Sequence, residues 1–240
     1  GKTSVLKVLL LALGIINNEP INHMNTKDIL GNTKNAILNV YFYSETTKEI
    51  CRLETVITSK NTKVEGVVYS IESESLWSKK AEEVTTRKAM LDFEEREPVI
   101  VRDEQESFLS DDVSIMIAYN KKTGEHIKVV SMLLFTNVNV LPFSEGIPAE
   151  VISYLDPTIE KLNFEEKNEK PIIHLKFKEK EEIVLNNPIE LNNYLSSGTV
   201  KGMITFTLAQ EVLKDGGYLI VDEIENHFNK EIVSTLIRFF

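Results

Sequence analysis

Hydrophobic positions along the chain fall into blocks with different periods. Residues 3–17, TSVLKVLLLALGIIN, are apolar on nearly every face and predict a buried helix. From about 37 to 94 the texture changes. AILNVYFYS, CRLETVITS, VEGVVYSIE and ESLWSKK are rich in β-branched and aromatic residues, alternate in part, and are separated by polar turns. That pattern predicts a mainly antiparallel sheet. Helical texture returns over 110–155. SDDVSIMIAYNKK opens on Ser/Asp capping residues, GEHIKVVSMLLFTNV follows Gly124, and AEVISYL predicts a third, short helix ended by Asp156-Pro157. IIHLKFKEK and EEIVLNN then predict a hairpin.

The last fifty residues are the most ordered in pattern. The loop NNPIELNNYLSSGT leads to a helix, VKGMITFTLAQEVLKD, then a Gly-Gly turn, a strand, YLIVDE, a loop, IENHFN, and a helix, KEIVSTLIRFF. Loop, helix, strand and helix in that order predict an α/β unit with a buried strand.

Three places along this pattern could carry chemistry. The strand GYLIVDEIEN delivers Asp222 and Glu223 at its carboxyl end, where open α/β sheets bind ligands. An Asp there can hold Mg²⁺, and the next Glu can orient and deprotonate water. The plain alternative is an acidic start to a solvated loop. Ser196, Ser197, Gly198 and Thr199 precede a helix, where small residues let N–H groups and hydroxyls approach an anion. An ordinary capping turn reads the same way. GKTS, at the front, has the form of the end of a phosphate-binding loop. Gly1 would allow close backbone approach, Lys2 would reach the β- and γ-phosphates, the Thr3 hydroxyl would ligate Mg²⁺, and Ser4 would complete the cradle. The glycine that a full loop needs five residues earlier would lie upstream of Gly1.

The order of the three is more specific than any one of them. Lys-Thr opens a helix, Ser-Ser-Gly-Thr opens another, and Asp-Glu closes a strand about twenty residues later. This resembles the ATP-binding heads of the ABC/SMC class, and most of all the stand-alone bacterial and archaeal ATPases with LSSGT-type signatures. YLSSGTVKG and YLIVDEIENHFN carry the likeness strongly, VISYLDPTIEKLNF and the β-rich middle diffusely. The resemblance implies one P-loop NTPase head over 1–240, an α/β fold with an antiparallel β-subdomain (37–94) and a compact helical lobe (107–155). The signature loop, Walker B segment and D-loop then fill 190–240. It implies that Lys2 and Thr3 end the Walker A loop, that Ser196–Thr199 are the signature, and that Asp222 is the Walker B acid, with Glu223 the catalytic glutamate.

It further implies ATP and Mg²⁺ as ligands, and a homodimer through the signature and D-loop face. Ser196 and Gly198 of one subunit would cap the γ-phosphate held by the other. The setting implied is a partner effector in phage defence or DNA maintenance, or a nucleotide-gated interaction module with little hydrolysis. Two positions depart from the pattern. The D-loop ends on Asn229, and neither Gln105 nor Gln210 sits at a Q-loop junction. The switch histidine would lie beyond Phe240. His23, His126, His174 and His227 lack ligand spacing.

Composition narrows the classes. A net charge of −10 and no Lys/Arg cluster disfavour direct binding of nucleic acid or anionic membrane. No apolar run approaches the roughly 20 residues of a membrane span. The single cysteine, Cys51, fits a reducing cytoplasm. The absence of an initiator Met and the apolar run at the end predict a chain cut at both ends, and so a fragment inactive on its own.

Overall fold

The computed structural model describes residues 1–102, 109–133, 147–167, 170–228 and 230–239, and the backbone alone for Asn226, His227 and Phe239. The fold is mixed α/β with antiparallel sheets. The chain divides into two compact units, 1–127 and 128–240.

The first unit begins with helix α1 (Lys2–Ile16). Its second half, Leu11 to Ile16, is buried, as an all-round apolar helix should be. Its first half is not: Val5 is 68% exposed, and Val8 and Leu9 are exposed too. The long alternating strands β1 (Ala36–Ser44), β2 (Glu49–Thr62) and β3 (Gly66–Lys80) form an antiparallel sheet with the short β4 (Ile100–Val101), in the order β1-β2-β3-β4. VEGVVYSIE and ESLWSKK, expected as separate segments, are one continuous strand. Cys51, Leu53, Thr55 and Ile57 of β2 all face inward, onto Leu11, Ile15, Leu76 and Met116. The outer face carries exposed Ile37, Tyr41 and Tyr43, and Arg52 stacks over Trp77 at 4.9 Å. Trp77 is thus a sheet-packing residue, its indole N–H donating to the Arg96 carbonyl.

Helix α3 (Met116–Thr123) starts later than its Ser/Asp signals predict. Those side chains are engaged elsewhere. Asp112 accepts from Asn22, and Ser114 donates to Glu74 at 2.8 Å. Buried Glu74 takes the capping role from β3, accepting from the Ile115 amide at 2.7 Å and from the Thr55 hydroxyl. Arg102 ties the same segment, donating to the carbonyls of Ser110 and Val113. Ser114 also accepts from the Met116 amide at 3.1 Å, so a tertiary carboxylate and a local hydroxyl share the start of the helix.

The second unit contains the main departure. The segment GEHIKVVSMLLFTNV, expected as a helix in the 107–155 lobe, holds strand β5 (Val129–Ser131). It pairs in parallel with β9 (Tyr218–Ile220). Residues 134–146 lie outside the described residues. Helix α4 (Ala149–Leu155) matches AEVISYL. Strands β6 (Ile159–Lys167), β7 (Lys170–Phe177) and β8 (Ile183–Leu185) form an antiparallel sheet; β7 and β8 are the expected hairpin and β6 is an added strand. Leu162, Ile173, Leu175 and Leu185 pack against Ile152 of α4 and against Val200, Met203 and Ile204 of α5 (Ser197–Asp215). Two short elements close the unit, α6 (Ile224–His227) and α7 (Lys230–Phe239). Among the described residues no helix is long and apolar enough to cross a membrane.

Candidate functional site

The two strands β5 and β9 run the same way, so their carboxyl ends emerge together. A parallel pair needs close backbone approach at its start, and Gly217 supplies it. Its φ is +128°, and a Cβ built there would lie 2.3 Å from the Lys128 carbonyl oxygen. That carbonyl accepts from the Tyr218 amide at 2.9 Å, which sets the register. At the far end, the Met132 amide donates to the Ile220 carbonyl at 2.8 Å. The strand is less enclosed than the sequence suggests: Tyr218 is exposed and only Ile220 is buried.

Asp222 and Glu223 follow immediately. Asp222 is half-buried and Glu223 exposed. The Glu223 amide donates to Oδ1 of Asp222 at 3.0 Å. Glu223 has φ +51° and ψ +37°, in the left-handed region, and is the N-cap residue of α6. A non-glycine residue there costs roughly 1–2 kcal/mol. This left-handed residue takes the chain from β9 into α6, and its side chain is exposed.

Helix α5 lies beside these strand ends. Ser196 is its N-cap, the hydroxyl accepting from the Thr199 amide at 3.0 Å and lying 2.8 Å from the Thr199 hydroxyl. The helix therefore begins three residues before the sequence estimate, with Ser197, Gly198 and Thr199 in its first turn. Ser196 and Ser197 are exposed, Gly198 is half-buried and Thr199 is buried. Ser196 is thus a working cap, with exposed Ser197 next to it at the start of a 19-residue helix. One residue was missed by the sequence reading. Lys201, a cation amid the apolar VKGMI run, is 92% buried (relative exposure 8%). Burial pushes its ammonium below the ordinary lysine range, while the Glu223 carboxylate pulls the other way.

In the first unit, Gly1 is the N-cap residue of α1, and no side chain caps that helix. The Gly1 amino group donates to the Ser4 hydroxyl at 3.3 Å, and the Ser4 amide to the Gly1 carbonyl at 3.1 Å. Gly1, Lys2 and Thr3 are exposed and Ser4 is half-exposed. Lys2 and the backbone amides of a helix's first turn are groups of the kind that bind polyanions. A Thr hydroxyl and one Asp carboxylate are hard oxygen donors of the kind Mg²⁺ uses together with phosphate oxygens and water. Among the described residues no cluster of three or more His, Cys, Asp or Glu could form an all-protein metal cage. By donor chemistry alone, the Thr3 hydroxyl and the Asp222 carboxylate would each suit Mg²⁺.

Of the other residues weighed, Gln210 is half-buried within α5, and Gln105 and Asn229 lie outside the described residues, as does the His227 side chain. His126 sits in the loop before β5 and not on a helix; His174, on β7, lies 3.3 Å from Glu182. Cys51 is buried beside Tyr119, and burial pushes its thiol up to about 11, so it is not a reactive nucleophile.

The chain matches no protein-family model, and it has no significant match among curated proteins or solved structures.

Proposed function

We propose that the protein is a nucleotide-dependent ATPase head of the ABC type, built on a P-loop NTPase fold, whose two half-sites meet in a homodimer. The observation that carries this reading is the Asp222-Glu223 corner. A strained, exposed carboxylate stands at the carboxyl end of a parallel strand pair, beside a helix that opens on exposed Ser196 and Ser197. Backbone strain of this kind is retained where geometry serves chemistry.

In this reading Lys2 and the first-turn amides of α1 bind the triphosphate, and the hydroxyls of Thr3 and Ser4 line the same cradle. Asp222 and Thr3 would hold Mg²⁺, which would neutralise charge on the phosphate oxygens. Ser196, Ser197, Gly198 and Thr199 offer the amides and hydroxyls of a helix N-terminus to the nucleotide of the partner subunit. Glu223 orients a water in line with the terminal phosphorus and accepts its proton. Because each site needs residues from two subunits, an isolated subunit turns over slowly. Coupling to a partner effector belongs to the same proposal.

The test is Mg²⁺-dependent ATP hydrolysis by the full-length protein, with dimerisation followed by light scattering. Wild type is expected to hydrolyse ATP, and Glu223→Gln to lose at least about a hundredfold in turnover while accumulating an ATP-bound dimer. Equal turnover by the two would exclude the role of Glu223. Dimerisation by ATP with no turnover in either would favour a nucleotide-gated interaction module.

A further inference from the structure

Lysine is among the residues least often buried, because its ammonium must leave water. Lys201 is nonetheless enclosed by the helix that carries the signature, with buried Val200, Met203 and Ile204 beside it. Its position along that helix is informative. Thr205, one turn further on, donates to the Lys201 carbonyl at 2.8 Å, and its hydroxyl lies 3.5 Å from the Met132 sulfur. Met132 in turn bonds Ile220 at the end of β9. Thr205 is therefore level with the last residues of the parallel strands. Helix α5 turns back through Gly216-Gly217 into β9, so the two elements run in opposite directions. A step from Thr205 to Lys201, about 6 Å along the helix, follows β9 past Ile220. The step from Ile220 to Asp222 is about 6.6 Å. The lysine is thus carried to the level of the acidic corner, where α6 also packs against α5.

We infer that Lys201 is a positioning residue, a buried cation of the signature helix that holds the Asp222-Glu223 corner in its strained turn. Its catalytic consequence rests on the ATPase reading above; the contact itself does not. The attraction of Glu223 for the ammonium agrees with this placement. A single opposite charge behind a carboxylate fixes where that carboxylate points, at the cost of desolvating the cation. It also ties the helix that offers Ser196 and Ser197 to one ATP to the glutamate that serves the other.

The experiment uses the full-length protein with Lys201→Met, which keeps a flexible apolar stem one atom shorter and removes the charge, and Lys201→Arg, which keeps the charge. Lys201→Met is expected to lower kcat about tenfold or more with KM changed less than about threefold, and Lys201→Arg to recover most of the loss. Unchanged kcat in Lys201→Met, or a loss confined to KM, would overturn the proposal. A second readout is independent of turnover. In thermal unfolding, the shifts of Lys201→Met and Glu223→Gln are expected to be non-additive, the double variant melting close to Lys201→Met alone. Additive shifts would overturn the contact. Non-additive shifts in a protein without any ATP hydrolysis would keep the contact and reject the ATPase reading. Should Lys201→Met fail to fold, the same comparison with Lys201→Gln decides.

Discussion

The backbone amide of Glu223 donates to the carboxylate of Asp222, 3.0 Å away, so the turn at Glu223 helps to fix the Asp222 side chain. The bond is made inside a left-handed turn that any other non-glycine side chain would also find unfavourable. Glycine at 223 should relieve that strain and leave stability unchanged or raised by up to about 1 kcal/mol. Valine, β-branched, should destabilise by about 1–2 kcal/mol. Both should abolish hydrolysis. Urea unfolding of the two variants, read with ATP turnover, checks this. A clear loss of stability in Glu223→Gly would mean that the turn is not strained.

Gly217 makes a second demand on the same strands. A methyl group there would press on the Lys128 carbonyl, a backbone atom that cannot swing aside. Gly217→Ala is expected to cost about 2–3 kcal/mol by overpacking and by its positive φ. Gly216→Ala, at φ +76° with open space around it, should cost less. Comparing the two denaturation midpoints separates crowding from backbone preference.

The parallel pairing that Gly217 permits was also the hardest feature to read in the sequence. Ile127 to Phe135 is apolar apart from Lys128 and Ser131, a pattern that suits a buried helix and a buried parallel strand equally. The β-branched pair Val129-Val130 was the available signal, but its partner strand lies nearly ninety residues away, where no local pattern reaches. The three long antiparallel strands were legible because one face is buried, so their alternation is printed in residues such as Cys51, Leu53 and Ile57. The exposed first turns of α1 escaped notice because an apolar helix is assumed to find cover. At the candidate site, Asp222, Glu223 and Ser196 were read from motif order alone. Lys201 was passed over, although a lone cation in an apolar helix was visible in VKGMI. Its burial is a tertiary fact.

Glu74 gives a pH test confined to the first unit. Burial pushes its carboxyl above the ordinary range, partly offset by the Ile115 amide, the Thr55 and Ser114 hydroxyls and Arg102. A raised folded-state value favours the protonated form in the native protein. The contribution is therefore fully present below the unfolded carboxyl pKa and is lost as pH rises through the folded one. Glu74→Gln removes that titration. The stability of the variant relative to wild type should improve as pH rises from about 4 to about 7. A difference that stays flat across that window would show that the four donors balance burial, and one that worsens as pH rises that they outweigh it.

The proposed function stands or falls on Thr3 and Asp222 both serving as metal-binding residues for a bound triphosphate. Titration of the full-length protein with Mn²⁺ and ATP, the free metal followed by its EPR signal, tests it most directly. Thr3→Ala and Asp222→Asn should each weaken Mn²⁺ retention about tenfold or more, and the double variant should fall little below the weaker single one. Retention unchanged in either single variant, or two losses that multiply independently, would contradict the account.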